Sequence, residues 1–417
     1  MANPIIRLDK NALIYRILTL VIESSLKAII ESINFYAMRN QTLALAAAAA
    51  FFTGLLLTLS SLSDAPKRPS IQGLIAATTR ETPTHFGLGG TIDAEIYKDV
   101  IVIPDIHGDS THFIRCVWLG LKKVQGRDIK FSDLEESILA AAVHGEYPNV
   151  PLLPKSDTVL VQMGDLVDRG PDSVLCLRIL WVIEKVVGWK VVSLLGNHEL
   201  MSSIGIRPEY IHPKERSEFR SLAKRYAEFS PGRPLWDKLM RESLIAVKLS
   251  SRSILKNTLF VHAGIDPVYL EKRQYPSVDD INMFAISRLN GDVVQAGDEV
   301  AEWVANDSSP LWTRVFAHDS FGDDVLCDEI LPPILEHLGV NRIVVGHNPQ
   351  ADHLMKSRCG SRVILTDCAV SRWLFMDQGQ PGILVMRNGD AYSDDWSKLE
   401  AFYYDFASES VRSAPLN

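Results

Sequence analysis

The sequence predicts an α/β fold carrying an N-terminal helical extension. Three observations predict it: six short runs rich in β-branched residues, a small polar motif at the end of each run, and a helical stretch after most of them. The runs are VIVIPDIHGD, TVLVQMGDLVDRG, VVSLLGNHE, TLFVHAGI, RIVVGHNP and RVILTDCA, all beyond residue 94. In sheets of this kind ligands sit outside the carboxyl ends of the strands, which is where these polar residues fall. A chain of 417 residues that is 47% hydrophobic has room for one large α/β unit plus extensions, which excludes a disordered or collagen-like protein.

The elements before the first run have a different character. Residues 11–36 (NALIYRILTLVIESSLKAIIESINFY) space their apolar side chains at three and four, which predicts an amphipathic helix. No charged residue occurs from Asn40 to Ser63, and the apolar run 41–62 has about the length needed to cross a bilayer. It reads as a membrane anchor, with a cleaved targeting segment or a core helix as alternatives. Arg7, Lys10, Arg16, Lys27 and Arg39 outweigh Asp9, Glu23 and Glu31 ahead of it, which favours a cytoplasmic N-terminus and a lumenal body. The expected location is therefore a membrane of the secretory pathway, with organelle-targeted or cytoplasmic placement as the alternative. Residues 1–63 thus read as helix plus anchor or targeting segment, 64–93 as a linker, 94–405 as the folded body and 406–417 as a tail.

The net charge of −8 is a poor basis for binding nucleic-acid backbones, so no nucleic-acid partner is expected. Five cysteines without a CxxC pair or zinc-ligand spacing argue against a disulfide scaffold and leave room for one isolated pair.

The strand ends supply Asp105, His107, Asp165, Asn197, His262 and His347, a mix of carboxylate, amide oxygen and imidazole suited to divalent transition metals. Two ions are the natural count. Asp105 and His107 can grip one together, Asp165 can bridge, and Asn197, His262 and His347 complete the second. Such a pair favours in-line displacement at a phosphorus centre. His198 is placed to protonate the leaving oxygen, held in its charged form by Asp168. Arg169 offers a two-pronged phosphate contact, and Arg314 in SPLWTR is the candidate second arginine, with Arg362 and Arg372 as rivals. The other histidines, His353 among them, read as surface or core residues.

These motifs, as PDIHGD (104–109), GDLVDRG (164–170), GNHE (196–199), HAG (262–264) and VVGHNPQ (344–350), resemble the signature of the phosphoprotein phosphatases, a branch of the calcineurin-like metallophosphoesterases. The resemblance spans roughly residues 98–370. It implies a metallophosphoesterase β-sandwich flanked by helices and two divalent ions drawn from Mn, Fe and Zn. It also implies hydrolysis of phosphomonoesters on Ser/Thr or Tyr of proteins by a two-metal-activated hydroxide. Carried over residue by residue, it makes Asp105, His107 and Asp165 ligands of one ion and Asp165, Asn197, His262 and His347 ligands of the other. His198 with Asp168 then looks like the acid pair, while Arg169, Asn197 and the candidate Arg314 are read from the residues themselves as substrate contacts.

Pro104 stands where that family usually has Gly, HAG replaces HGG, and a SAPNYC stretch is absent. With GNHELM, PLWTR and VVGHNPQ, these departures are similar to the Shewanella-like protein phosphatases. A dinucleoside polyphosphate hydrolase shares the motifs and is the first alternative. Spacers around 115–155 and 205–255 read as a built-up rim suited to a peptide or a special small substrate. A nuclease of the wider superfamily would end in GHxH, where this chain has Pro349. An inactive membrane-tethered scaffold is the remaining alternative.

Overall fold

Three runs, DVIVI, TVLVQ and KVVSL, are buried along nearly their whole length, as strands covered on both faces must be. The computed structural model describes residues 70–78, 90–93, 96–145, 156–250, 257–283, 306–317, 321–387, 399–414 and 416. Its strands in chain order are β1 (Thr91–Asp93), β2 (Asp99–Ile103), β3 (Thr158–Gln162), β4 (Lys190–Leu194), β5 (Ser243–Leu244), β6 (Ala246–Ser250) and β7 (Thr258–Val261). They continue with β8 (Arg342–Val345), β9 (Lys356–Arg358), β10 (Val363–Leu365), β11 (Gly382–Arg387), β12 (Leu399–Asp405) and β13 (Ser410–Ala414).

They form two mixed sheets. One is seven-stranded, in the order β13-β12-β11-β2-β3-β4-β5, and the other six-stranded, in the order β1-β6-β7-β8-β10-β9. β2 to β5 are parallel neighbours, with Val100 opposite Val159 and Leu160 opposite Val191. β7, β8 and β10 are parallel neighbours in the other sheet. Ile101 and Val161 from the first sheet and Phe260, Val344 and Ile364 from the second are fully buried in one shared core.

Each motif-bearing strand of the larger sheet runs into a helix. Ser110–Val124 follows β2 and is capped by Asp109, which accepts the His112 N–H at 3.2 Å. Phe113, Val117 and Leu121 recur at helical spacing on its buried face. Ser173–Val187 follows β3 and stops at Gly188, whose φ of 78° favours a residue without a Cβ. Asn197–Ile204 follows β4. The metallophosphoesterase expectation of an α/β body with helices around sheets is met by this two-sheet architecture.

Three sequence readings change or fall outside. The region read as a linker holds the helix Ile71–Thr78, with Ile71 and Leu74 in the core, and β1, which pairs with β6. The region read as a tail holds β13, hydrogen-bonded to β12. The amphipathic helix of 11–36 and the apolar run 41–62 lie outside the described residues, and among those described no helix is long and apolar enough to cross a membrane.

Candidate metal centre

Five non-glycine residues at the strand ends sit in the left-handed region: His107 (φ 46°), Asp165 (52°), Asp168 (66°), Arg169 (64°) and His347 (61°). Each costs about 1 kcal/mol or more, and such strain persists only where surrounding contacts over-determine it. Glu199 is one such contact. Its buried carboxylate accepts the N–H groups of Asp165 (3.0 Å), Leu166 (2.7 Å), Val167 (3.2 Å) and Gly196 (2.8 Å), pinning the turn after β3 onto the turn after β4. Gly196 and Gly346 are required for another reason: a Cβ on either would collide with a carboxylate oxygen, of Asp165 and Asp105 respectively.

So held, the residues converge. The Nε2 atoms of His107, His198 and His262 lie 3.7, 3.9 and 3.5 Å from Asp165 Oδ2, too far for hydrogen bonds and suited to a cation between them. Two groups of ligand atoms, each within 4.8 Å of one another, could hold a metal: His107, Asp165 and His198, and Asp165, His262 and His347; in the first, His198 stands where the sequence reading has Asp105, which falls outside both groups. Asp165 belongs to both, the position of a bridging ligand. Asn197 Oδ1 lies 3.0 Å from His262 Nε2, and Asp105 Oδ2 accepts the His347 N–H at 2.9 Å. Asp105 Oδ1 and His347 Nε2 are buried without a hydrogen-bond partner. Buried polar atoms left unpaired are destabilising, and a divalent cation would satisfy both. The donor set therefore fits a dinuclear site.

The electrostatics agree. Burial pushes the Asp105 carboxyl well above the usual carboxylate range, and Asp367 adds to this. Burial would also raise Asp165, but His262 and His198 beside it more than reverse that and hold it well below. Burial lowers His107 to about 3, with His198 contributing, and puts His347 well below its ordinary value, so both present neutral imidazoles. Burial disfavours the His262 imidazolium as well, yet Asp165 and Asp105 raise it to about 10. The carboxylates demand positive charge at this point, and a metal ion answers the same demand.

Beside the cluster, His198 Nδ1 and Asp168 Oδ2 are 2.9 Å apart. Arg169 projects alongside with its guanidinium carbon 3.9 Å from the centroid of the Tyr210 ring, while its backbone N–H donates to the Tyr210 carbonyl at 2.7 Å. The Tyr210 ring lies 5.0 Å from that of His198, so one aromatic touches both. Arg314 is exposed, donates to Asn348 Oδ1 at 2.8 Å and contributes its field to His347 and Asp367. Its rivals are engaged elsewhere: Arg372 is paired with Asp109, and Arg362 donates to the carbonyls of Cys359 and Cys327. Those two cysteines form the one disulfide among the described residues. His353 pairs with Asp377, outside both clusters.

Four residues escaped the sequence reading. Glu199 and Asp367 stood inside quoted motifs, GNHE and RVILTDCA, and were legible as buried strand-end carboxylates. Asp367 Oδ2 has no hydrogen-bond partner, and burial raises its carboxyl to about 7. Tyr210 and Arg225 lie in the segment read as a rim, where no motif marks them. The segment supplies interior contacts: Arg225 is fully buried and donates to Asp168 Oδ1 at 2.6 Å.

Comparison with known proteins bears on the family and the fold. The profile of the calcineurin-like phosphoesterases matches residues 98–351. The chain is 24% identical over 302 residues to Shewanella-like protein phosphatase 2 of Arabidopsis thaliana, covering 61% of this chain and 72% of that one. It is 28% identical over 248 residues to an uncharacterized protein of Schizosaccharomyces pombe, covering 54% and 70%. Among solved structures, a cold-active protein-tyrosine phosphatase of a psychrophilic Shewanella superposes with a TM-score of 0.54 at 19% identity over 85% of this chain and 87% of that one, a likeness of fold. With the motifs of both sheets gathered on one ligand cluster and more than half of the chain matched, the protein belongs to the calcineurin-like phosphoesterase family.

Proposed function

We propose that the protein is a metal-dependent phosphatase that hydrolyses phosphomonoesters on phosphorylated proteins or peptides, on Ser/Thr, Tyr or both. The observation that carries this reading is the His198–Asp168 pair, 2.9 Å apart, beside two overlapping groups of side chains that could each hold a metal. Asp105, His107, Asp165, Asn197, His262 and His347 would hold the ions, which when bound supply Lewis acidity and a nucleophile drawn from water at neutral pH.

The remaining work falls to the chain. Asp168 accepts a hydrogen bond at His198 Nδ1, which fixes the ring and leaves Nε2 turned to the cluster, where it protonates the departing alkoxide. Arg169, flattened against Tyr210 and with Nε free of a hydrogen-bond partner, presents its fork to the phosphoryl oxygens. Arg314, braced by Asn348 of the loop after β8, and Asn197 are the further substrate contacts. The names of the relatives support a protein substrate. The Cys327–Cys359 disulfide supports a secretory compartment, where such bonds persist.

The test is turnover by the full chain loaded with Mn²⁺ on phosphoserine, phosphothreonine and phosphotyrosine peptides, with diadenosine tetraphosphate as control. Metal-dependent release of phosphate from a peptide is the expected result. Turnover of the nucleotide alone would replace the reading with a polyphosphate hydrolase, and no turnover by folded, metal-loaded protein would leave a scaffold.

A further inference from the structure

Asp168 can orient His198 only if its own carboxylate is fixed, and one of its two oxygens is already spent on the imidazole. The other meets Arg225. This guanidinium is fully buried and divides its donors three ways: Nη2 to Asp168 Oδ1 at 2.6 Å, Nε to Glu215 Oε1 at 2.7 Å and Nη1 to Ser202 Oγ at 2.9 Å. Glu215, also fully buried, accepts with its second oxygen from Ser173 Oγ, and Ser173 Oγ accepts the N–H of Asp168 at 3.1 Å. The contacts close a ring, Asp168–Arg225–Glu215–Ser173–Asp168, that grips Asp168 by both its backbone and its side chain. Phe229 packs 4.8 Å from the guanidinium carbon and covers the cluster.

Arg225 is shut off from solvent, so it does not touch substrate. A purely stabilising role accounts poorly for the arrangement, because buried ion clusters are weak sources of stability compared with apolar packing. What a rigid fork does provide is direction, since three acceptors at set angles lock the plane of the guanidinium and with it the plane of Asp168.

Building on the general-acid reading of His198, we propose that Arg225, supported by Glu215, is a positioning residue that holds Asp168 so that His198 is aimed at the leaving group. The segment read from sequence as a substrate rim, 205–255, then sets the reactivity of the acid from beneath. Arg225 and Glu215 lie in its two short helices Leu222–Glu228 and Pro213–Glu218.

The experiment measures kcat, KM and bound metal for the Mn²⁺-loaded full chain on aryl phosphates whose phenols range from strongly to weakly acidic. A working general acid makes kcat nearly independent of the phenol, and its loss penalises weakly acidic phenols most. His198→Asn sets the benchmark. Arg225→Gln is expected to lower kcat for phenyl phosphate by about 10–100-fold and for 4-nitrophenyl phosphate by less than about threefold, with KM and metal content unchanged, a fraction of what full removal of an acid costs. Arg225→Lys recovers part of the loss, because it keeps the charge and loses the fork. In the His198→Asn background, Arg225→Gln adds nothing further.

Equal losses on all phenols, loss of metal, or additive losses in the double variant would overturn the proposal and leave Arg225 a structural residue. If His198→Asn itself shows no dependence on the phenol, the general-acid reading fails, which is a separate result. Should Arg225→Gln not fold, Glu215→Gln decides: the same selective loss, smaller in size, supports the proposal, and a uniform loss or none overturns it.

Discussion

Gly108 and Gly170 lie back to back. A Cβ added to Gly108 would stand 2.7 Å from the Gly170 carbonyl oxygen, and one added to Gly170 would stand 2.5 Å from the Gly108 carbonyl oxygen. The Gly170 N–H donates to the His107 carbonyl at 2.9 Å, so this contact sets how closely the turn after β2 approaches the turn after β3, and hence His107 approaches Asp165. Gly170→Ala forces the turns apart and is expected to lower stability by about 1–3 kcal/mol. Mn²⁺ affinity falls with it. Denaturant unfolding and a metal titration check both, and a variant of unchanged metal affinity would show that the turns are positioned independently.

Glu199→Gln replaces a carboxylate that accepts four backbone N–H groups with an amide whose NH₂ faces some of the same donors. The turn that carries Asp165 loosens. Metal affinity is expected to fall about 10–100-fold, as for other changes behind a metal ligand. Isothermal titration with Mn²⁺ gives the number.

The arginines are expected to divide by role. Arg314→Ala is expected to reduce kcat/KM about 10–100-fold, chiefly through KM, because one charge-assisted contact to phosphate is worth about 1.5–3 kcal/mol. Arg372→Ala leaves KM unchanged and lowers stability, since the Asp109 carboxylate, itself buried, loses its fork. Steady-state kinetics beside thermal melts separate them, and a KM effect at Arg372 would reverse the assignment.

Acid should weaken the fold through His112. Burial lowers its imidazole to about 4, against 6.5 for the unfolded chain, and Nδ1 sits 2.7 Å from the Val370 carbonyl. The unfolded state therefore takes up a proton that the folded state refuses between pH 6.5 and about 4, so stability is intact above that window and drains away as pH falls through it. The loss from this one group approaches roughly 3 kcal/mol at the lower end. His112→Gln is expected to flatten the pH dependence by that amount in chemical denaturation of the metal-free protein. Parallel curves for the two proteins would refute the assignment.

The candidate metal ligands were legible because each is a local event. A β-branched run ending in Asp-x-His, Gly-Asp or Gly-Asn-His announces a strand, its end and its donor atoms within ten residues, and all six residues lie where that logic puts them. Arg314 was legible as a residue and not as a choice. What sets its rivals Arg362 and Arg372 apart is only the partners that the fold assigns them. The strand Ser410–Ala414 escaped because an edge strand with exposed polar side chains carries little alternation to read.

By itself, the sequence determined the candidate chemistry: the donor residues, the His198–Asp168 pair proposed as the acid, the strand ends that carry them and the family they resemble. Tertiary structure alone decided the support. His262 and His347 come from a different sheet from Asp165, Cys327 finds Cys359 across 32 residues, and Arg225 reaches Asp168 across 57. The physical reason is range. Turn geometry and strand periodicity are encoded in neighbouring residues, whereas a buried guanidinium meets its carboxylates only where packing brings distant segments together, and no short pattern in the sequence records that meeting.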